Sequence, residues 1–520
     1  MLSRVAAVKA PRTHNRRRVT GSSGGRREGG ESERQRPNMS RRVFHSAVPL
    51  LLFVVWVCCS TCGPVAAEDS SSGDVHLPER VGLFLPQKTT VLPKEGAGPG
   101  EVKDAFASPS LVSAGGVMVA FAEGRKLYSD PQYPSAKTLA VDIVGGYLNA
   151  TEPWSSMLAY ITSSHWNAHT VFDRENPKGV LGVAQRPTSL SKGNKMFLLV
   201  GSHYLTFDST KQRWVEGGWD IHLVDGEVTL SPEDEPSKRV RWGTPQSLLG
   251  LLAGRAKELG LDGFLGAGGS GIVLESGWLV FPLTASRRGE KTVLVIYSMN
   301  EGRSWEVGTG TPPGYCFDPL IAEWDGDLLI VATCVGGRNV FRSGDMGNTW
   351  KEDPGILSRL WTSELNPRGQ NFVLGDLINL IVGVRRVMLY TQKGFPPGGV
   401  KANALYLWVT DNNRTRPVGP ISMDDDTERT VANRLLLSNN MLYLLHERSG
   451  QSNDGIFLSP LKEELETVMS VAVIWPLVDI FFSESSIHAD GLVAFLSDPA
   501  TPNTWIDMYR CVNVTDRSPP

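Results

Sequence analysis

The chain has 520 residues with a formal charge of −3 and hydrophobic residues at 41%. It is long enough to bury a large core and carries no general attraction for nucleic acid. Glycine at 54 residues, proline at 33 and tryptophan at 14 favour short strands joined by tight turns, hence an all-β chain.

Residues 1–38 are rich in Arg, Gly and Ser without apolar periodicity, which predicts a disordered basic arm, or else an extension ahead of the working start. The second reading fits better, because Met39 opens a secretory signal over residues 39–67. Arg41 and Arg42 supply its charge, Ala47 to Cys59 its apolar run, and Val65 and Ala67 the small residues of a cleavage site. That run is too short to span a bilayer. Export places the remaining Cys316, Cys334 and Cys511 in an oxidising compartment, where Cys316 and Cys334 flank one strand-turn segment and are the expected disulfide. Sequons at Asn149, Asn413 and Asn513 fit a secreted or cell-surface glycoprotein.

From about residue 80 to 500 the chain reads as short apolar runs punctuated by turns. The runs are Met196 to Gly201, Gly271 to Leu283, Val293 to Ser298, Leu328 to Val335, Val387 to Thr391, Ala404 to Thr410 and Met441 to His446. One helix is predicted between Thr244-Pro245 and Gly260, through Leu248, Leu249, Leu252, Ala256 and Leu259. Residues 501–520 read as the start of a linker to a missing C-terminal domain. Ser343-Gly344-Asp345-Met346-Gly347-Asn348-Thr349-Trp350 repeats the frame of Ser298-Met299-Asn300-Glu301-Gly302-Arg303-Ser304-Trp305, 45 residues earlier. That spacing is close to one propeller blade. The turns are structural: Asp caps amides, Gly takes a left-handed conformation, and Trp packs between sheets.

These Asp-box turns, with Leu407-Trp408-Val409-Thr410-Asp411-Asn412, Arg386-Val387-Met388-Leu389-Tyr390-Thr391, Lys192-Gly193-Asn194-Lys195 and Gly116-Val117-Met118-Val119-Ala120, closely resemble the trypanosomal trans-sialidase superfamily. The resemblance covers the signal peptide and residues 80 to 510. It implies a six-bladed β-propeller of the sialidase fold, usually followed by a lectin-like domain and a lipid anchor, which this sequence reads as truncated or absent. It also implies an exo-α-sialidase or trans-sialidase site: an arginine triad for the sugar carboxylate, a Tyr nucleophile activated by Glu, and an Asp acid/base.

Transferred position by position, most of that machinery is replaced. The first arginine falls on Ala107 in Phe106-Ala107-Ser108-Pro109, the second on Thr333, and the third on Ala402 beside Lys401. The nucleophile falls on Thr430, its activating Glu on Asp318, the acid/base one place off register at Asp130, and a substrate-contacting Asp on Arg186. Glu447 matches the carboxylate that orients the first arginine. Its partner is gone, so water, Arg448 or another cation is expected to fill the gap. No slip in alignment restores an Arg near Phe106 or a Tyr near Thr430.

Other signals are weak. Gly266 to Gly271 lacks the Lys of a phosphate loop, Asp424-Asp425-Asp426 lacks the spaced ligands of a calcium loop, and His165, Trp166 and His169 lack zinc spacing. No metal and no cofactor are expected. The sequence therefore reads as a non-catalytic sialidase-like glycoprotein of a parasite surface, serving adhesion or immune interaction. Its expected partners are host glycoproteins or receptors, and sialylated glycans, with no nucleic acid and membrane contact only through a missing anchor. The alternatives are an active exo-α-sialidase or trans-sialidase, and a sialoside-binding lectin without cleavage.

Overall fold

A computed structural model describes residues 76–94, 98–174, 180–229, 235–335, 337–353, 355, 357, 375–383, 385–394, 403–425, 427–450 and 454–484, with strands at 6–9, 492–501, 504–507 and 513–515. The chain forms two compact units, Met1–Gly73 with Val473–Pro520, and Asp74–Ala472. The signal segment, Lys401, Ala402, Asp426 and Cys511 lie outside the described residues.

The Asp74–Ala472 unit is built of antiparallel meanders. Cys316–Trp324, Asp327–Cys334, Gly337–Ser343 and Lys351–Glu352 form one sheet, and Leu377–Val382, Arg385–Gly394, Ala404–Thr410 and Thr415–Met423 another. A third orders Gly263–Gly266, Leu279–Arg287, Glu290–Ser298 and Glu306–Val307, with Ile272–Val273 on its inner side. The fourth joins Glu428–Ser438, Met441–Gly450 and Gly455–Pro460 to the early strand Val81–Phe84, so the two ends of the unit close on one sheet. A twelve-stranded sheet contains two further meanders, Ala105–Ala114 to Tyr133–Asn149 and Leu181–Lys192 to Arg213–Val228, linked in parallel at Val141 and Val183.

The arrangement is propeller-like. Ala105–Ala114 lies against both Leu181–Lys192 and Glu428–Ser438, while Cys316–Trp324 lies against Leu377–Val382. At the middle, the buried Ser110 hydroxyl donates to the Gly269 carbonyl at 2.6 Å and stands 2.7 Å from the Ser189 hydroxyl. Glycine is required there, because a Cβ on Gly269 would meet the Arg434 guanidinium at 2.6 Å, and one on Gly266 would meet the Arg186 carbonyl at 2.5 Å. The glycine run is thus a close-packing device. Between meanders the sheets bury apolar layers such as Phe84, Met118, Leu148, Leu445 and Ile456. Each large side chain there contributes roughly 1.5–3 kcal/mol.

The two repeated turns have matching geometry. The Ser343 hydroxyl accepts the Gly347 N–H at 2.9 Å, and Asp345 accepts the Thr349 N–H at 2.8 Å. At the earlier turn, Ser298 accepts the Gly302 N–H at 2.8 Å and Asn300 accepts the Ser304 N–H at 2.9 Å.

Several expectations are corrected by the structure. The Gly271 to Leu283 run is folded into two strands at the Gly277 turn, φ +82°, a conformation glycine takes without strain. The predicted helix stops at the left-handed Gly260 as expected but starts later, spanning Leu249–Leu259, since Gln246–Ser247 pairs with the Arg213–Val228 strand. The stretch after Pro460, read as strands to residue 500, begins with a helix, Lys462–Glu484. In the other unit, Ala6–Lys9 pairs with Leu492–Thr501, and Thr504–Asp507 adds to the same sheet.

Candidate functional site

Three inner strands carry the same local device. Ser108-Pro109, Arg186-Pro187 and Asp318-Pro319 each place two residues opposite one on the neighbouring strand. The first residue of each pair is left-handed, at φ 54°, 54° and 50°. Proline cannot donate to the ladder, so the sheet bulges at each site. A non-glycine left-handed residue costs on the order of 1–3 kcal/mol, and such strain concentrates where a side chain must be re-aimed.

The bulges gather charge at the middle of the unit. Glu123 accepts the Arg186 N–H at 2.8 Å through one oxygen and the Arg125 guanidinium at 2.5 and 3.0 Å through the other. Glu447 accepts the Ser108 N–H at 2.8 Å. A carboxylate on a second strand thus receives the bulge amide of the next meander twice over. The Arg186 side chain turns onto Asp318 and forms an ion pair, with side-chain exposures of 23% and 12%. Beneath them lies Arg434, fully buried, donating to the Gly375 carbonyl at 2.8 Å and the Asn433 carbonyl at 2.5 Å.

Electrostatics follow from burial. Glu447 is pushed up to about 7, because burial outweighs the Ser108 amide and the attraction of Arg125 and Arg434. Burial likewise lowers the Arg434 pKa against the attraction of Asp376 and Asp318, and raises that of Asp376. His446, next to Glu447 in sequence, is driven down to about 3 by burial, with Arg448 and Arg80 adding repulsion.

The structure brings together four of the sequence-predicted positions: Ala107 beside Ser108, Arg186, Asp318 and Glu447. Thr333 lies nearby, lining with Asp318, Arg338 and Gly375 a cavity of about 10 Å³. That is room for roughly one water. The Cys316–Cys334 disulfide ties the ends of the two strands bearing Asp318 and Thr333.

Two positions lie apart. Asp130 sits at a hairpin tip, where it accepts the Gln132 N–H at 2.7 Å. Seven residues of extended strand beyond Glu123, it is roughly 23 Å along the chain path. Thr430 is buried in another network: its N–H donates to Asp424, and its hydroxyl stands 3.1 Å from that of Ser422. No described carboxylate contacts that hydroxyl. Arg448, expected to fill the gap beside Glu447, instead serves Ser422, the Met423 carbonyl and Glu428, because the strand alternates its side chains between faces. Sequence reading missed Glu123, Arg125, Arg338 and Arg434. The repeated residue-Pro steps were the signal that could have located the first two.

Residues 108–447 match the BNR repeat-like domain family. The chain belongs to this family and is sialidase-like. It is 42% identical over 457 residues to Sialidase 85-1.1 of Trypanosoma cruzi, covering 87% of this chain and 60% of that protein. Against a second Trypanosoma cruzi sialidase it is 30% identical over 356 residues, 67% of this chain and 29% of the relative. The chain therefore spans less than two thirds of the length of either relative. Among solved structures, Trypanosoma rangeli sialidase in complex with the inhibitor DANA superimposes with a TM-score of 0.67 at 28% identity, covering 85% of this chain and 71% of that one. The same enzyme with 2,3-difluorosialic acid, a covalent intermediate, gives 0.65 at 29% identity over 84% and 69%.

Proposed function

We propose that this protein is a non-catalytic member of the sialidase family: a six-bladed propeller with Asp-box turns, exported to the parasite surface or medium, where it serves host-cell adhesion or immune interaction. One observation carries the proposal. The central charges neutralise one another, with Arg186 held by Asp318 and Arg125 held by Glu123. A sugar carboxylate is bound by guanidinium forks aimed outward, and hydrolysis through a phenol needs a base beside it. Here an arginine stands where the resemblance implies an aspartate, and it occupies the acid that would serve as base. The cavity beside this pair is far smaller than the several hundred Å³ of an ordinary ligand site. The disulfide supports export into an oxidising compartment.

A lectin that binds sialosides without cleaving them is the second reading. Arg338 favours it, since it lines the cavity directly opposite Thr333. A fluorogenic sialoside assay tests the first reading. No hydrolysis above background is expected, and turnover abolished by Asp318→Ala would overturn it. Titration with sialyllactose separates the two readings: saturable binding lost in Arg338→Ala supports the lectin.

A further inference from the structure

A second cleft lies between the hairpin joining Leu279–Arg287 to Glu290–Ser298 and the loop entering the Cys316–Trp324 strand. We propose that it binds an anionic saccharide of one or two sugar units, carrying sulfate or uronate groups, independently of the central cluster.

Its volume is about 320 Å³, with Arg287, Lys291, Thr292, Thr311, Pro312 and Tyr315 among its walls. That falls at the lower end of small-ligand sites, in contrast with the water-sized central cavity. Among the described residues, neither Arg287 nor Lys291 is held by a carboxylate. Glu290 also lines the cleft beside Tyr315, whose pKa it raises, so the two cations leave the wall with a net positive charge. The Lys291 ammonium stands 5.2 Å from the centre of the Phe317 ring, which holds the cation at the cleft by cation–π attraction. Tyr315 is 47% exposed and Pro313 is exposed beside it, so the two offer an apolar platform, and Thr292 and Thr311 line its margin.

This set suits a sugar ring bearing anionic groups. The platform takes the C–H face, the hydroxyls exchange hydrogen bonds with sugar hydroxyls, and the two cations take the charge. An acidic peptide would use the cations but has no need of the platform.

Calorimetric titration of the full chain at 0.15 M salt, with a trisulfated heparin disaccharide, maltose and an acidic tetrapeptide as probes, tests the proposal. Saturable one-to-one binding of the disaccharide alone is expected. Arg287→Ala with Lys291→Ala should weaken it about tenfold or more, as befits two lost charge-assisted hydrogen bonds. Tyr315→Ala should weaken it at unchanged formal charge, while Tyr315→Phe retains it. All are exposed positions, and an unchanged thermal midpoint establishes that each variant is folded. No saturable binding, equal or tighter binding of the peptide, or full affinity in the double variant or in Tyr315→Ala would overturn the proposal. The central site takes no part, so the sialoside assays fail or succeed independently.

Discussion

At Glu447, burial and a single backbone amide set the balance, and the consequence is a pH dependence of known sign. Its folded pKa of about 7 lies above the usual carboxylate value of 4.5, so the folded protein holds this proton more tightly than the unfolded chain. The stability it contributes is present at low pH, falls as pH rises from about 4.5 to 7, and is gone above that. Glu447→Gln keeps an acceptor for Ser108 and removes the penalty. It should stabilise the protein by roughly 2–4 kcal/mol at pH 8 and by little at pH 4, as read from urea unfolding at both. Equal effects at both pH values would contradict the burial argument. His446 acts on the acid side: its depressed folded pKa makes the unfolded chain bind the extra proton, so stability is lost as pH falls from 6.5 toward 3. The Arg186–Asp318 pair should behave as a unit. Arg186→Ala strands a half-buried carboxylate, and the double change to Ala at both positions should cost less than the two single costs summed, with a coupling of roughly 0.5–3 kcal/mol in a double-mutant cycle. Additive costs would mean that the pair does not hold the centre together.

Turns and the disulfide govern stability at the scale of the element. Asp345 accepts both the amide and the hydroxyl of Thr349, so Asp345→Ala should lower the unfolding free energy read from urea titration by about 1–2 kcal/mol, whereas Asp345→Asn should cost less. Asn300 already performs the same capping in the earlier turn. Reduction of Cys316–Cys334, or Cys316→Ser with Cys334→Ser, opens a loop with a sequence separation of 18 residues and should cost about 3 kcal/mol. Such elements were legible in the sequence because their signals are local. The strand runs Leu328 to Val335 and Ala404 to Thr410 carry apolar residues at strand spacing, and the two turns keep Ser, Gly and Trp at the same places in the frame. The Lys462–Glu484 helix was not legible: its run of Val and Ile carries the signature of a strand and Pro476 that of a helix breaker, and tertiary packing of Leu465, Val468 and Val471 overrides both. The central ion pair was hidden for a different reason. Arg186 and Asp318 lie 132 residues apart, and only the stacking of bulged inner strands brings them together.

Across the whole molecule, the same scaffold holds two sites of opposite character. The central cluster is strained, charged and internally neutralised, whereas the peripheral cleft keeps two cations and an exposed ring available. Sialidase-like architecture therefore fixes the backbone and leaves chemistry to individual side chains. The most direct test of the non-catalytic reading is incubation of the full chain with 2,3-difluorosialic acid followed by intact-mass spectrometry, with an active trypanosomal sialidase as positive control. The account predicts an unmodified mass under conditions that label the control. An adduct of one 3-fluorosialyl unit, formed with loss of the C2 fluoride and mapped to Thr430 or to any residue of the central cluster, would contradict it.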